Sequence, residues 1–145
     1  MPVETPVLIT GNKHVDERGI IGFINTFDMK EVRRFYRICN NDTQLKRGWR
    51  AHKIEQRWFS VLSGAFNVAV IKIDDWENPS KNLLPQKYRL TNDNSVLHVP
   101  RGYATCIKAI EPNSEIILFA DSLIENAEKD NYLFPVDYFD IDFNT

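Results

Sequence analysis

Arg47-Gly-Trp-Arg-Ala-His-Lys-Ile-Glu-Gln-Arg-Trp-Phe-Ser-Val-Leu-Ser-Gly64 is the stretch on which the fold turns. Its second half, Arg57 to Ser63, has the apolar content of a strand. Gly64 interrupts it, and Ala65 to Ile73 resumes, so the two segments read as a hairpin. In the second strand Phe66, Val68, Val70 and Lys72 fall on one face, and Ala65, Asn67, Ala69, Ile71 and Ile73 on the other. Neither face is cleanly polar. The strand is therefore expected to be covered twice, by a barrel interior and by a partner surface. The first half alternates as well: Arg47, Trp49, Ala51 and Lys53 share one face, and Arg50, His52 and Ile54 the other. These cations cannot all line one pocket unless a bulge intervenes.

Working outward, short strands are predicted at 7–10, 20–27, 35–39, 86–90, 96–99, 104–110 and 115–120. A charged turn or short helix is expected at 28–33, a loop at 74–82, and one or two helical turns at 124–129. No linker, low-complexity tract or internal repeat interrupts the chain, so residues 1–145 read as a single all-β domain. Periodicity alone leaves a sandwich, a closed barrel or a double-sheet jelly roll open.

Composition narrows the function classes. The 43% hydrophobic and 26% charged content suits a soluble globular protein. A net charge of −2 provides no broad footprint for nucleic acid or an anionic membrane, so neither is expected as a partner. No apolar run approaches the roughly 20 residues that span a bilayer. The opening Met-Pro-Val-Glu-Thr-Pro lacks the features of a signal peptide, and Cys39 and Cys106 read as two half-buried free thiols. A cytoplasmic location is expected.

Two motifs carry more. Gly64 closes the first, and Pro100-Arg-Gly-Tyr103 begins the second. The chain resembles the two-motif frame of the cupin superfamily, a double-sheet β-barrel of jelly-roll type. In that frame Arg50 stands where the first histidine ligand belongs, His52 keeps the second, Arg57 or Gln56 occupies the glutamate position, and Thr105 takes the third histidine. One imidazole among four positions does not make a transition-metal site, and neighbouring guanidinium groups repel a cation. No metal and no cofactor are expected, and a metal dioxygenase is disfavoured.

Asp16-Glu-Arg-Gly19, Arg47-Gly-x-x-Ala-His-Lys53, Gln56, Ser114-Glu-Ile-Ile-Leu-Phe-Ala-Asp121 and Asp130-Asn-Tyr132 together resemble the nucleotide-sugar 3,4-ketoisomerases and, more distantly, the dTDP-4-dehydrorhamnose 3,5-epimerases. These are non-metal cupins acting on dTDP-4-keto-6-deoxyhexoses in the synthesis of cell-surface polysaccharides. The resemblance implies a nucleotide-sugar isomerase or epimerase and a homodimer. The alternative is a cupin that binds a nucleotide sugar, or another anionic sugar ligand, without turning it over. Family members carry Arg-Gly-x-His-Ala-His-Lys. Here the first histidine is Arg50, and the late-strand tyrosine of the epimerases is matched by Leu118.

The chemistry then assigns candidates. Moving a carbonyl between neighbouring carbons passes through an enediolate, which needs a base near working pH and a group to hold the oxyanion. His52 is the expected base and Arg50 the oxyanion or phosphate ligand, with Tyr36 and Tyr103 as possible proton donors. Arg18, Arg47, Lys53, Gln56 and Arg57 are the expected substrate-binding residues. The plain alternatives are a structural histidine at 52 and solvated surface charges elsewhere. Trp58 and Phe59 are expected in the core, Trp76 at an interface or pocket lid, and His14 in an exposed loop.

Overall fold

The computed structural model of the chain describes residues 4–143; of the opening segment discussed above, residues 1–3 lie outside it. In chain order the strands are β1 (Val7–Thr10), β2 (Asn12–Asp16), β3 (Gly19–Phe23), β4 (Arg34–Asn40), β5 (Lys46–His52), β6 (Arg57–Ser63) and β7 (Ala65–Lys72). They continue with β8 (Gln86–Thr91), β9 (Ser95–Val99), β10 (Tyr103–Ala109), β11 (Ser114–Ala120) and, after a helical turn α1 (Ile124–Ala127) and a 3-10 turn (Glu128–Asp130), β12 (Tyr132–Leu133). Two antiparallel five-stranded sheets result, ordered β1-β9-β6-β11-β4 and β12-β5-β10-β7-β8, with β2 and β3 as a separate hairpin.

Period-two alternation explains why the sheets face each other. Phe59 and Val61 of β6, Leu97 and Val99 of β9, and Ile116 and Leu118 of β11 meet Phe66, Val68, Val70, Leu90, Tyr103 and Ile107 of the second sheet in one buried cluster. Gly64 makes the β6–β7 turn at φ +73°, where a side chain is strained, and an added Cβ would run into Ser114 Oγ.

The outer face of the second sheet overturns one expectation. Trp49, Ala51, Ala69, Ile71, Ala104 and Cys106 are buried not by a partner but by the chain's own C-terminal segment, through Phe134, Tyr138, Phe139 and Phe143. Trp49 Nε1 donates to Val136 O at 3.1 Å, and Trp49 and Phe134 exchange backbone hydrogen bonds. The thiols also differ from expectation: Cys39 is exposed and Cys106 fully buried, because inward–outward alternation puts them on unlike surfaces. Burial pushes the Cys106 thiol up to about 12, so it is inert as a nucleophile. His14 is exposed but lies on β2, not in a loop. Among the described residues no helix is long and apolar enough to cross a membrane.

Candidate functional site

The site begins with a departure from regular pairing. Arg50 of β5 pairs with Thr105 of β10, and Arg47 with Ile107, so three steps along β5 oppose two along β10. This bulge turns Arg47 onto the same face as Arg50. Gly48 permits it: a Cβ there would lie 2.8 Å from Cys106 Cα and from Thr105 O. Arg47, Arg50 and Arg57 consequently line one cavity of about 250 Å³ with Tyr36, Thr105 and Leu118. Strict alternation would have kept Arg47 out.

Arg57 lies deepest. It is 4% exposed, its guanidinium lies over the Phe59 ring at 5.1 Å, and Nη2 donates to Thr105 Oγ1 at 2.7 Å. That bond crosses from one sheet to the other. Of the two residues weighed for the glutamate position of the motif, Arg57 points in and Gln56 points out. Among the described residues no carboxylate lies within ion-pair distance of Arg47, Arg50 or Arg57. Arg47 has only the neutral Asn40 Oδ1, at 2.8 Å. The buried, unpaired Arg57 is costly to fold, and with the exposed Arg47 and Arg50 beside it the cavity suits an anion.

Tyr36 and Arg50 also line a second cavity, which adds Arg34, His52, Glu55 and α1. His52 Nδ1 lies 2.6 Å from Asp130 O. A carbonyl only accepts, so Nδ1 carries the proton and Nε2 of the neutral ring carries the lone pair. Nε2 stands 3.5 Å from Glu55 Oε2; both atoms are buried without a hydrogen-bond partner, while Arg34 Nη1 donates to Glu55 Oε1 at 2.6 Å. The turn carrying Glu55 is held by the buried Asp130 carboxylate, which accepts from the amides of Lys53, Ile54 and Glu55 at 2.7, 2.9 and 2.8 Å. Glu55 and Asp130 were absent from the expected site residues. Glu55 has a sequence signal, three residues after the motif histidine; Asp130 opens the Asp130-Asn-Tyr132 segment of the resemblance, but its contact with the 53–55 turn comes only from the fold.

Burial, and then the Arg57 charge, push the His52 imidazole down to about 4. An unfolded histidine takes up its proton near ~6.5. Between those values the unfolded chain binds a proton that the folded chain does not. The stability from keeping His52 neutral is therefore complete above ~6.5 and lost as pH falls toward 4, a difference on the order of 3 kcal/mol. His98, also lowered by burial, acts in the same direction. Urea unfolding at about pH 7.5 and about pH 4.5 is expected to show this loss, and His52→Gln to remove its larger part. An identical pH dependence in wild type and variant would contradict it.

Four other expected site residues lie elsewhere. Lys53, beyond the end of β5, places its ammonium 5.4 Å from the ring centroids of both Trp76 and Tyr132, which gives Trp76 its place on the outer surface. Gln56 accepts from His98 Nε2 at 2.8 Å and donates to Glu31 at 3.1 Å, beside the stacked Trp58 and His98 rings on the outer face of the first sheet. Arg18 is held by Asp16 on the exposed β2–β3 turn. Tyr103 is in the core, its hydroxyl donating to Glu4 O at 3.2 Å, and it lines neither cavity. Tyr36, by contrast, pairs in register with Leu118. A phenol thus stands one strand away from Leu118, the residue that the sequence resemblance matches to the late-strand tyrosine.

Among the described residues no group of three or more His, Cys, Asp and Glu side chains is placed to hold a metal. Two facing antiparallel sheets around an apolar core, with an arginine-lined cavity, define a cupin-type barrel. Within that class the chain belongs to the family described as FdtA: WxcM-like, C-terminal, whose model matches residues 6–140. Solved structures of similar fold include the sugar 3,4-ketoisomerase QdtA of Thermoanaerobacterium thermosaccharolyticum in complex with TDP, at TM-score 0.71 and 17% identity over 92% of this chain and 91% of that one. The TDP-quinovose 3,4-ketoisomerase WlaRB of Campylobacter jejuni matches at 0.70 and 16%, over 94% and 98%. The rmlC epimerase of Mycobacterium tuberculosis matches at 0.74 and 17%, over 94% and 72%. At these identities the likeness establishes the fold. No curated protein matches the chain.

Proposed function

We propose that the protein is a nucleotide-sugar isomerase or epimerase, moving a proton next to the ketone of a dTDP-4-keto-6-deoxyhexose in cell-surface polysaccharide synthesis in the cytoplasm. The observation that carries this reading is the junction of the two cavities: Arg50 and Tyr36 belong to both, with unpaired guanidinium groups on one side and His52 on the other. The inner cavity, about 250 Å³, is smaller than the roughly 300–1,000 Å³ that encloses a whole drug-sized ligand. It takes one ring and leaves the rest of a nucleotide sugar at the mouth.

The geometry supports the following roles. His52 Nε2 removes the proton, Tyr36 returns one, and the exposed Arg47 and Arg50 meet the diphosphate. The proton affinity of His52 is low in the free protein partly because Arg57 and Arg50 oppose its charge. An anionic substrate neutralises those cations and raises that affinity as it binds. Glu55, 3.5 Å away, then stabilises the imidazolium.

Proton NMR of dTDP-4-keto-6-deoxyglucose with the protein in deuterium oxide tests the reading. Deuterium entering at C3 or C5 supports it. Broadened ligand lines without exchange would instead support a binding module, a reading favoured by Arg50 standing in place of the family's first histidine. Neither effect would refute both.

The reading includes a homodimer, on grounds that differ from those the sequence suggested. Val15, Ile20 and Ile21 on the β2–β3 hairpin, with Phe35 and Leu62 on the first sheet, are large exposed apolar side chains. Light scattering at micromolar concentration is expected to give twice the chain mass; a monomer mass would contradict it.

A further inference from the structure

We propose that Arg57, held across the barrel by Thr105, is the group that receives the oxyanion formed on the sugar ring, so that a nucleotide sugar enters sugar first. This rests on the reading of the preceding subsection and adds to it the orientation of the substrate and the identity of its electrophile.

Three observations lead here. Arg57 is nearly fully buried with no carboxylate partner, whereas Arg47 and Arg50 are exposed at the mouth. A diphosphate, which stays hydrated until late in binding, is met first by the outer pair. The inner guanidinium, walled by Phe59, Ile107 and Leu118, faces a space that admits only the end of the ligand. The third observation is positional. Arg57 and Thr105 occupy positions that the motif resemblance matches to two metal ligands of the cupin frame, they come from opposite sheets, and here they are joined by a hydrogen bond at 2.7 Å. A fixed guanidinium thus supplies the positive charge at that point, in a setting of low dielectric where it acts strongly.

The step balances without a further reactant. The base takes the proton from the carbon beside the ketone, and the C–H electron pair becomes the carbon–carbon double bond. The carbonyl π pair moves onto oxygen, which Arg57 holds as an enediolate through its fork of N–H groups. The hydroxyl proton on the deprotonated carbon passes to this oxyanion, and a proton returned to the former carbonyl carbon then leaves the carbonyl on its neighbour. A proton returned to the deprotonated carbon itself restores the original ketone, with the oxyanion discharged in either case.

The test uses the paired variant Arg57→Met with Thr105→Val, which removes the cation and leaves no orphaned hydroxyl. It is expected to bind dTDP within about threefold of wild type while exchange into the keto sugar falls by roughly 10²–10³-fold. It is also expected to unfold at a higher temperature, because an unpaired buried charge is gone. Loss of dTDP binding along with exchange, wild-type exchange, or a lowered unfolding temperature would each overturn the assignment.

A readout independent of turnover uses the Arg57 Nε–Hε resonance, assigned by its absence in the variant. Oxalate, a planar dianion with adjacent oxygens, and the keto-sugar nucleotide are expected to shift it, and dTDP alone is not. If wild type exchanges no deuterium yet oxalate and the sugar nucleotide still shift this resonance, the isomerase reading fails and the anion site stands. If neither shifts it, the site fails.

Discussion

Asp130→Ala is expected to lower the unfolding temperature by about 10 °C. The carboxylate accepts from three consecutive amides of the turn after β5 and is itself buried. Each buried donor left unpaired costs about 1–3 kcal/mol. Lys53 and Ile54 are exposed, so water can re-pair part of the loss, and the total is nearer about 3 kcal/mol than the sum of three full penalties. For a chain of 145 residues that corresponds to a shift of roughly 3–4 °C per kcal/mol. Hydrogen exchange should localise the damage, with the amides of residues 53–55 losing protection first. Asp130→Asn, which keeps one acceptor oxygen, should fall in between. A variant unfolding within about 2 °C of wild type would mean the turn is held by its own backbone.

The second large effect is on chemistry. His52→Ala is expected to reduce deuterium exchange into the keto sugar by about 10²–10⁴-fold, the usual contribution of a positioned base. Affinity for dTDP should change little, since Arg47 and Arg50, the residues proposed to meet the diphosphate, are untouched. Glu55→Gln should give a smaller loss, near tenfold, because it weakens the stabilisation of the imidazolium and leaves Nε2 in place. The two variants separate the roles: a base deletion removes exchange across pH, whereas loss of Glu55 lowers the pH at which His52 becomes protonated. Wild-type exchange in His52→Ala would move the base to Glu55 or Tyr36.

Much of the fold is legible in the sequence, for a physical reason. Strands such as Arg57–Ser63 and Ala65–Lys72 are buried almost continuously, as their apolar residues on both faces require, and Gly64 occupies a backbone conformation that other residues avoid. The site is less legible, because it depends on exceptions to alternation. The bulge at Gly48 brings Arg47 beside Arg50, and the close approach of Cys106 and Thr105 from the neighbouring strand explains that glycine. The choice between Gln56 and Arg57 is a shift of one residue, which in a strand reverses the face. Lys53 lies past the strand end, where the turn hands it to two aromatic rings. Asp130 acts on residues 75–77 positions earlier, a relation that no local pattern records. The C-terminal cover has no period at all: Phe134, Tyr138, Phe139 and Phe143 bury the second sheet from an irregular segment.

That cover has a consequence for how the protein comes into being during translation. A nascent chain that has released residues only as far as β10 already contains Arg47, Arg50, Arg57 and Thr105. It lacks both the carboxylate that sets the 53–55 turn and the rings that shield Trp49, Ala69 and Ile71. The site is therefore completed by a segment made after the strands that carry its arginines. Until then an apolar sheet face is open to other nascent chains. Ribosome stalling upstream of Asp130, or premature termination there, would yield an adhesive intermediate, so the cell's holding chaperones have a defined interval in which to act on this protein.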